Sequence, residues 1–292
     1  MTLNHSFTAQ RRLYAGLGLL LALATSCTQN PPTPTPVAPA PVADAVNAET
    51  RDFAQYTDLV WSDEFDGSTL DATKWAPEIR DVWYNNELQA TTGSRDNVTV
   101  TNGNLVITAK REAYNGRDYT SGRIITKGKK DFLFGRIDTR AKLPKGKGIW
   151  PAIWMLGTND ATASWPNCGE IDIMELRGST PKVNNSTVHY GTNTSTDHQY
   201  KTTTYTLPGT TDFAADFHIF SFIRSRDQMR WYIDGNLYYS LNSGQVSPYP
   251  FNNPFYMILN LAVGGDFDGN PDGSTTFPQQ LQVDYVKYVQ YR

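Results

Sequence analysis

Asn97–Lys110 reads NVTVTNGNLVITAK, two strand-like runs meeting at Asn102-Gly103. Asn and Gly tolerate the positive φ that both central residues of a type I′ hairpin turn require, so this stretch predicts two antiparallel strands. The same device recurs at Asp234-Gly235, between RWYI and NLYYS. Working outward, strand-like runs fall at Phe134–Ala141, Phe217–Arg224, Met229–Ile233, Tyr256–Val263 and Val283–Tyr291. No amphipathic pattern of helical period persists beyond about two turns. Many strands at short spacing predict an all-β domain, a sandwich or a barrel.

The 292 residues carry 26 Lys+Arg against 29 Asp+Glu, a net charge of −3, which argues against a nucleic-acid partner. Hydrophobic residues make up 39%, enough for a sizeable core, and aromatic residues 12%. Two cysteines support neither a disulfide framework nor a four-Cys zinc site. At the N-terminus, Arg11-Arg12 precede an apolar run from Leu13 to Ala24 and then Thr25-Ser26-Cys27. This reads as an export signal over residues 1–27, with Cys27 as a lipidation site of bacterial lipoprotein type. Residues 28–56 read as a linker, Pro-rich over 31–43 (PPTPTPVAPAPVA), with a short helix as an alternative over 44–56. The 31–43 segment would reach roughly 40 Å in extended form. Residues 57–292 are expected to form one domain, exported to the cell surface or outside, touching membrane only through Cys27, and monomeric.

Function is concentrated in Trp165–Leu176, WPNCGEIDIMEL. Period-2 alternation puts Glu170 and Asp172 on one face of a strand and Ile171 and Ile173 on the other. Glu175 is out of phase, and one bulge residue near Met174 would return it to the acid face. Three carboxylates in one trough resist joint ionisation, so one holds a proton beside one that stays charged. That is the pairing that cleavage of a glycosidic bond needs. Trp150, Trp154 and Trp165 lie near Glu170 in sequence and offer flat faces for sugar rings.

The segments GIWPAIWMLG (148–157), WPNCGEIDIMELRG (165–178), WYNNELQ (83–89) and VHYG (188–191) together resemble glycoside hydrolase family 16, and within it the laminarinases, endo-1,3-β-glucanases. The resemblance runs from about Trp61 to Tyr288. It implies a β-jelly-roll sandwich of concanavalin A-like type with a concave cleft, and retaining hydrolysis of a β-1,3-glucan polysaccharide. It implies Glu170 as nucleophile, Glu175 as general acid/base and Asp172 as the residue that tunes the pair. It also points to Asn86 and Arg123 as sugar-contacting residues, with no cofactor for catalysis. A structural Ca²⁺ is expected away from the cleft, on Glu64, the carbonyl of Gly103 and Asp284. Other polysaccharides of the family, mixed-linkage glucan or a marine galactan, remain alternatives. A lectin on the same shell, with inert acids, is the reading from another class.

Other motifs yield less. His189 is expected to reach Asp172 or a sugar, or to be a satisfied core histidine. Asp266–Gly273 imitates the start of an EF-hand loop but has Pro271 where Gly is needed and Phe277 where the bidentate Glu belongs, so it reads as a cleft-edge loop. Cys168 lacks a nucleophile's surroundings and reads as a small buried residue.

Overall fold

Asn102 and Gly103 have φ of 51° and 71°, and Asp234 and Gly235 have 50° and 78°, so both predicted turns adopt the left-handed geometry their residues favour. The structure, a computed structural model, describes residues 47–193 and 196–291. The expected export signal, Cys27 and the Pro-rich run lie outside the described residues.

In chain order the strands are β1 (Asp58–Asp63), β2 (Ala76–Pro77), β3 (Gln89–Thr91), β4 (Val98–Thr101), β5 (Asn104–Tyr114), β6 (Arg117–Ser121), β7 (Arg123–Ile125), β8 (Gly135–Lys142) and β9 (Ile149–Gly157). They continue with β10 (Glu170–Leu176), β11 (Val183–Tyr190), β12 (Gln199–Thr206), β13 (His218–Ser225), β14 (Gln228–Ile233), β15 (Asn236–Asn242), β16 (Phe255–Val263) and β17 (Gln279–Gln290). Helical structure among the described residues is confined to three short 3₁₀ turns.

Ten strands form one sheet in the order β15-β14-β13-β8-β17-β5-β6-β3, with β1 added on β17 and β4 on β5. The other seven run β12-β11-β10-β9-β16-β7-β2. The two sheets make the expected all-β sandwich. Ile171, Ile173 and Met174 of the smaller sheet and Phe220, Phe222 and Trp231 of the larger are essentially sealed from solvent in one core. Burial of such side chains is the main favourable term in folding. Truncating Trp231 to Ala would cost about 3–5 kcal/mol.

Within the stretch expected as linker, residues 47–56 make contacts with the domain. Asn47 is buried and its Nδ2 donates to Tyr291 O at 3.1 Å; Thr50 Oγ1 bonds Ser225 Oγ at 2.8 Å. Tyr56 is 1% exposed. Residues 47–56 are therefore seated on the domain. Phe53 and Tyr56 pack with Ile223, Tyr232 and Val289, while the residues around them are mostly exposed, which gives the segment its linker-like composition.

Candidate active site

The bulge expected near Met174 is present. Asp172 pairs with Trp154 and Met174 with Ile153, so two steps along β10 meet one on β9. On the other side Asp172 faces Thr187 and Glu175 faces Asn185, three steps against two. The extra residue restores Glu175 to the face of Glu170 and Asp172, while Ile173 and Met174 stay in the core. A bulge disrupts the ladder and needs other partners for its backbone groups. Here Ser186 Oγ donates to Ile173 O at 2.8 Å, and Trp231 Nε1, from the opposite sheet, donates to Asp172 O at 3.1 Å. Ser186 Oγ also bonds Tyr238 Oη at 2.6 Å.

Each glutamate is held by an indole. Trp165 Nε1 donates to Glu170 Oε2 at 2.9 Å, and Trp150 Nε1 to Glu175 Oε1 at 2.9 Å. Asp172, 2% exposed, lies deeper. His189 Nε2 stands 3.4 Å from Asp172 Oδ2 and 3.7 Å from Glu170 Oε1, while its Nδ1 meets His198 Nε2 at 2.8 Å. All three carboxyls are pushed up to about 8, chiefly by burial; in both glutamates the Asp172 charge adds to this, and His189 and the indoles partly offset it. The three carboxyls thus share protons near neutral pH. The trough can present an acid beside a carboxylate within one strand's length.

Two of the three tryptophans expected as sugar platforms therefore also serve as polar partners of the acids. The third, Trp154, donates through Nε1 to Asn260 Oδ1 at 2.6 Å. Its ring meets the guanidinium of Arg123 at 4.7 Å, and Trp83 meets the same guanidinium at 4.4 Å. Arg123 Nε is ion-paired with Glu78. This clamp lies in the ladder row of Glu175, which runs through Ala152 and Asn260 to Arg123.

Asn86 lines a cavity of about 590 Å³ with Trp83, Glu87, Arg117, Asp266 and Asn270. Its Nδ2 donates to Asp266 Oδ1 at 2.9 Å, so the 266–273 loop edges the cleft as expected. Asp268, 4% exposed, accepts from Gly148 N at 2.8 Å, Ser179 N at 3.1 Å and Ser179 Oγ. Phe267 packs on Trp150, with ring centroids 4.8 Å apart, and on the Arg177 guanidinium at 3.9 Å. The loop thereby supports Trp150, which holds Glu175.

The proposed calcium positions lie in the other sheet. Glu64 follows β1, Gly103 turns β4 into β5, and Asp284 is on β17, which pairs with both β1 and β5. They are hard oxygen donors brought to one seam, and so fit Ca²⁺ in kind. Both carboxylates already have cationic partners: Asp284 meets Arg140 at 2.6 Å and Glu64 meets Lys287 at 3.3 Å. In the cleft, Glu170, Asp172 and His189 have ligand-capable atoms within 4.8 Å of one another, a second place where donor types could hold a cation. Cys168 is fully buried, and burial pushes its thiol up to about 11, in line with an inert residue. Sequence reading missed Trp83, His198, Asn260 and Phe267. Trp83, inside WYNNELQ, and Phe267, inside the Asp266–Gly273 loop, each had a signal pointing to the cleft; His198 and Asn260 had none.

A β-sandwich with a buried carboxylate trio in an aromatic trough is the construction of a polysaccharide-cleaving enzyme. Residues 85–287 match the glycosyl hydrolases family 16, and the chain belongs to that family. It is 39% identical over 259 residues to the beta-glucanase of Rhodothermus marinus, covering 84% of this chain and 90% of that one. It is 39% identical over 254 residues to glucan endo-1,3-beta-glucosidase A1 of Niallia circulans, covering 78% of this chain but 37% of that longer protein. The crystal structure of the laminarinase catalytic domain from Thermotoga maritima superposes with a TM-score of 0.75 at 42% identity, covering 80% of this chain and 98% of that one.

Proposed function

We propose that this protein is a retaining endo-β-glucanase that hydrolyses β-1,3-glucosidic bonds in laminarin-like polysaccharides by double displacement. The observation that carries the reading is the bulge in β10, which turns Glu170, Asp172 and Glu175 to one face. Glu170 attacks the anomeric carbon while Glu175 gives its proton to the departing glycosidic oxygen. The bond from Glu170 to the sugar is then hydrolysed by a water that gives its proton to Glu175. Asp172, between them, keeps a proton available to the trio. Trp165 and Trp150 each fix one oxygen of a glutamate and leave the other for chemistry. Asn86 and Arg123, with Trp154, bind the part of the chain that forms the glycosyl intermediate.

The deciding experiment is reducing-sugar release and product profile on a panel of β-1,3-glucan, mixed-linkage glucan and galactans. Oligosaccharides from β-1,3-glucan support the proposal. Preference for another polymer moves the specificity within the family, and no release from any polymer leaves the lectin reading.

Three further readings belong to the same proposal. Cys27 becomes the acylated first residue after removal of residues 1–26; Cys27→Ser would move the protein from the membrane fraction to the medium. The protein is a monomer, which light scattering would report. Ca²⁺ binds Glu64, the Gly103 carbonyl and Asp284, displacing Lys287 and Arg140; removing Ca²⁺ with a chelator would lower the melting temperature, and no change would count against it.

A further inference from the structure

The trough continues past the acids on the side away from Arg123. Three ladder rows run from β10 across β11 to the terminal strand β12: Glu170–His189–Tyr200, Asp172–Thr187–Thr202 and Glu175–Asn185–Thr204. Side chains directly opposed in an antiparallel ladder share a face, so Tyr200, Thr202 and Thr204 look the same way as the three acids. At strand spacings of about 4.8 Å, β12 stands roughly 10 Å from the acid strand. Tyr200 is 59% exposed, with its ring 6.0 Å from that of His189 and 6.1 Å from that of His198. Thr202 Oγ1 bonds Thr187 Oγ1 at 3.0 Å, and both Thr202 and Thr204 are exposed.

An exposed flat ring beside a row of hydroxyls matches a sugar, which has an apolar ring face and a polar rim. We propose that Tyr200, Thr202 and Thr204 form a binding site for the leaving-group segment of the glucan chain, with Tyr200 as its stacking platform. This rests on the glucanase reading, and on Arg123 and Asn86 holding the opposite, glycosyl-forming segment. The occupant is fixed by continuity: a polymer crossing Glu170 and Glu175 from the Arg123 side meets the β11–β12 wing next. The site acts on binding of long chains and not on the chemical step.

The test compares kcat/KM of wild type, Tyr200→Ala and Tyr200→Phe on soluble β-1,3-glucan and on an aryl β-laminaribioside, whose small phenol cannot reach β12. A stacking contact of aromatic-pair strength predicts that Tyr200→Ala loses about three- to tenfold on the polymer, carried by KM. The loss on the aryl substrate should be clearly smaller, and Tyr200→Phe should recover most of the polymer activity. Equal losses of Tyr200→Ala on both substrates, or no loss on the polymer, would overturn the proposal. A wild-type protein that leaves β-1,3-glucan intact would instead remove the glucanase reading, and the variants would not enter into it.

Discussion

Ser186 Oγ donates to the carbonyl of Ile173 at 2.8 Å, giving a partner to the residue that the β10 ladder leaves over. The bond reaches further, because the same hydroxyl meets Tyr238 of the opposite sheet at 2.6 Å. The bulge is thus fixed from two sides, and Glu175 inherits its direction from that support.

Ser186→Ala would leave a buried carbonyl without this donor, at a cost of about 1–3 kcal/mol. The melting temperature should fall by roughly 2–4 °C per kcal/mol. Because the bulge aims Glu175, kcat should fall as well. A variant that lost stability but kept full kcat would show that the bulge holds its shape without Ser186. Double-mutant cycles with Tyr238→Phe would give the coupling energy.

Glu170→Ala and Glu175→Ala should each reduce kcat by about 10³-fold while circular dichroism shows the same sheet content. Near-wild-type turnover in either would remove the assignment. Following the anomeric configuration of the first product by NMR tests retention independently.

Asp172→Asn tests the protonation of the trough. An aspartate in the unfolded chain loses its proton near pH ~4, whereas burial holds Asp172 protonated to about 8. Between these values the folded protein binds more protons than the unfolded chain, so its stability falls as pH rises through that window. The Asn variant lacks this dependence. Relative to wild type its melting temperature should rise as pH goes from 4 to 8, with kcat reduced throughout. A pH-independent difference in melting temperature would contradict the raised Asp172 carboxyl.

Arg123→Lys should be costly despite keeping the charge. The planar guanidinium is stacked between Trp83 and Trp154 while paired to Glu78, and an ammonium cannot fill that slot. We expect a several-fold rise in KM for β-glucans, of about the size that a loss of ~1 kcal/mol produces. An unchanged KM would place Arg123 in support of the wall alone.

Much of the site was legible in the sequence because its signals are local. Period-2 alternation placed Glu170 and Asp172, the phase error of Glu175 required a bulge, and two dipeptides fixed two hairpins. What escaped was long-range or polar. β12 (QYKTTTYT) is an edge strand with mostly exposed residues, so it has no buried apolar face to read. The start of β17, QQLQ, lies inside its sheet but shows a single apolar residue, the buried Leu281, among three glutamines. The supports of the bulge, Ser186, Trp231 and Tyr238, lie 13, 59 and 52 residues from the groups they bond or from each other, and no spacing rule connects them to β10. Trp150 and Trp165 were recognised as cleft residues, but their N–H groups, and not only their faces, matter to the acids.

The position of β12 at the sheet margin has an evolutionary corollary. Substitutions at outward-facing positions away from special features usually change stability by no more than about 0.5 kcal/mol. Tyr200, Thr202 and Thr204 can therefore vary with little harm to folding, while β10 is constrained by everything that braces its kink. Descendants of this chain could drift in which polymers they accept by rewriting one margin, leaving the reaction centre as inherited.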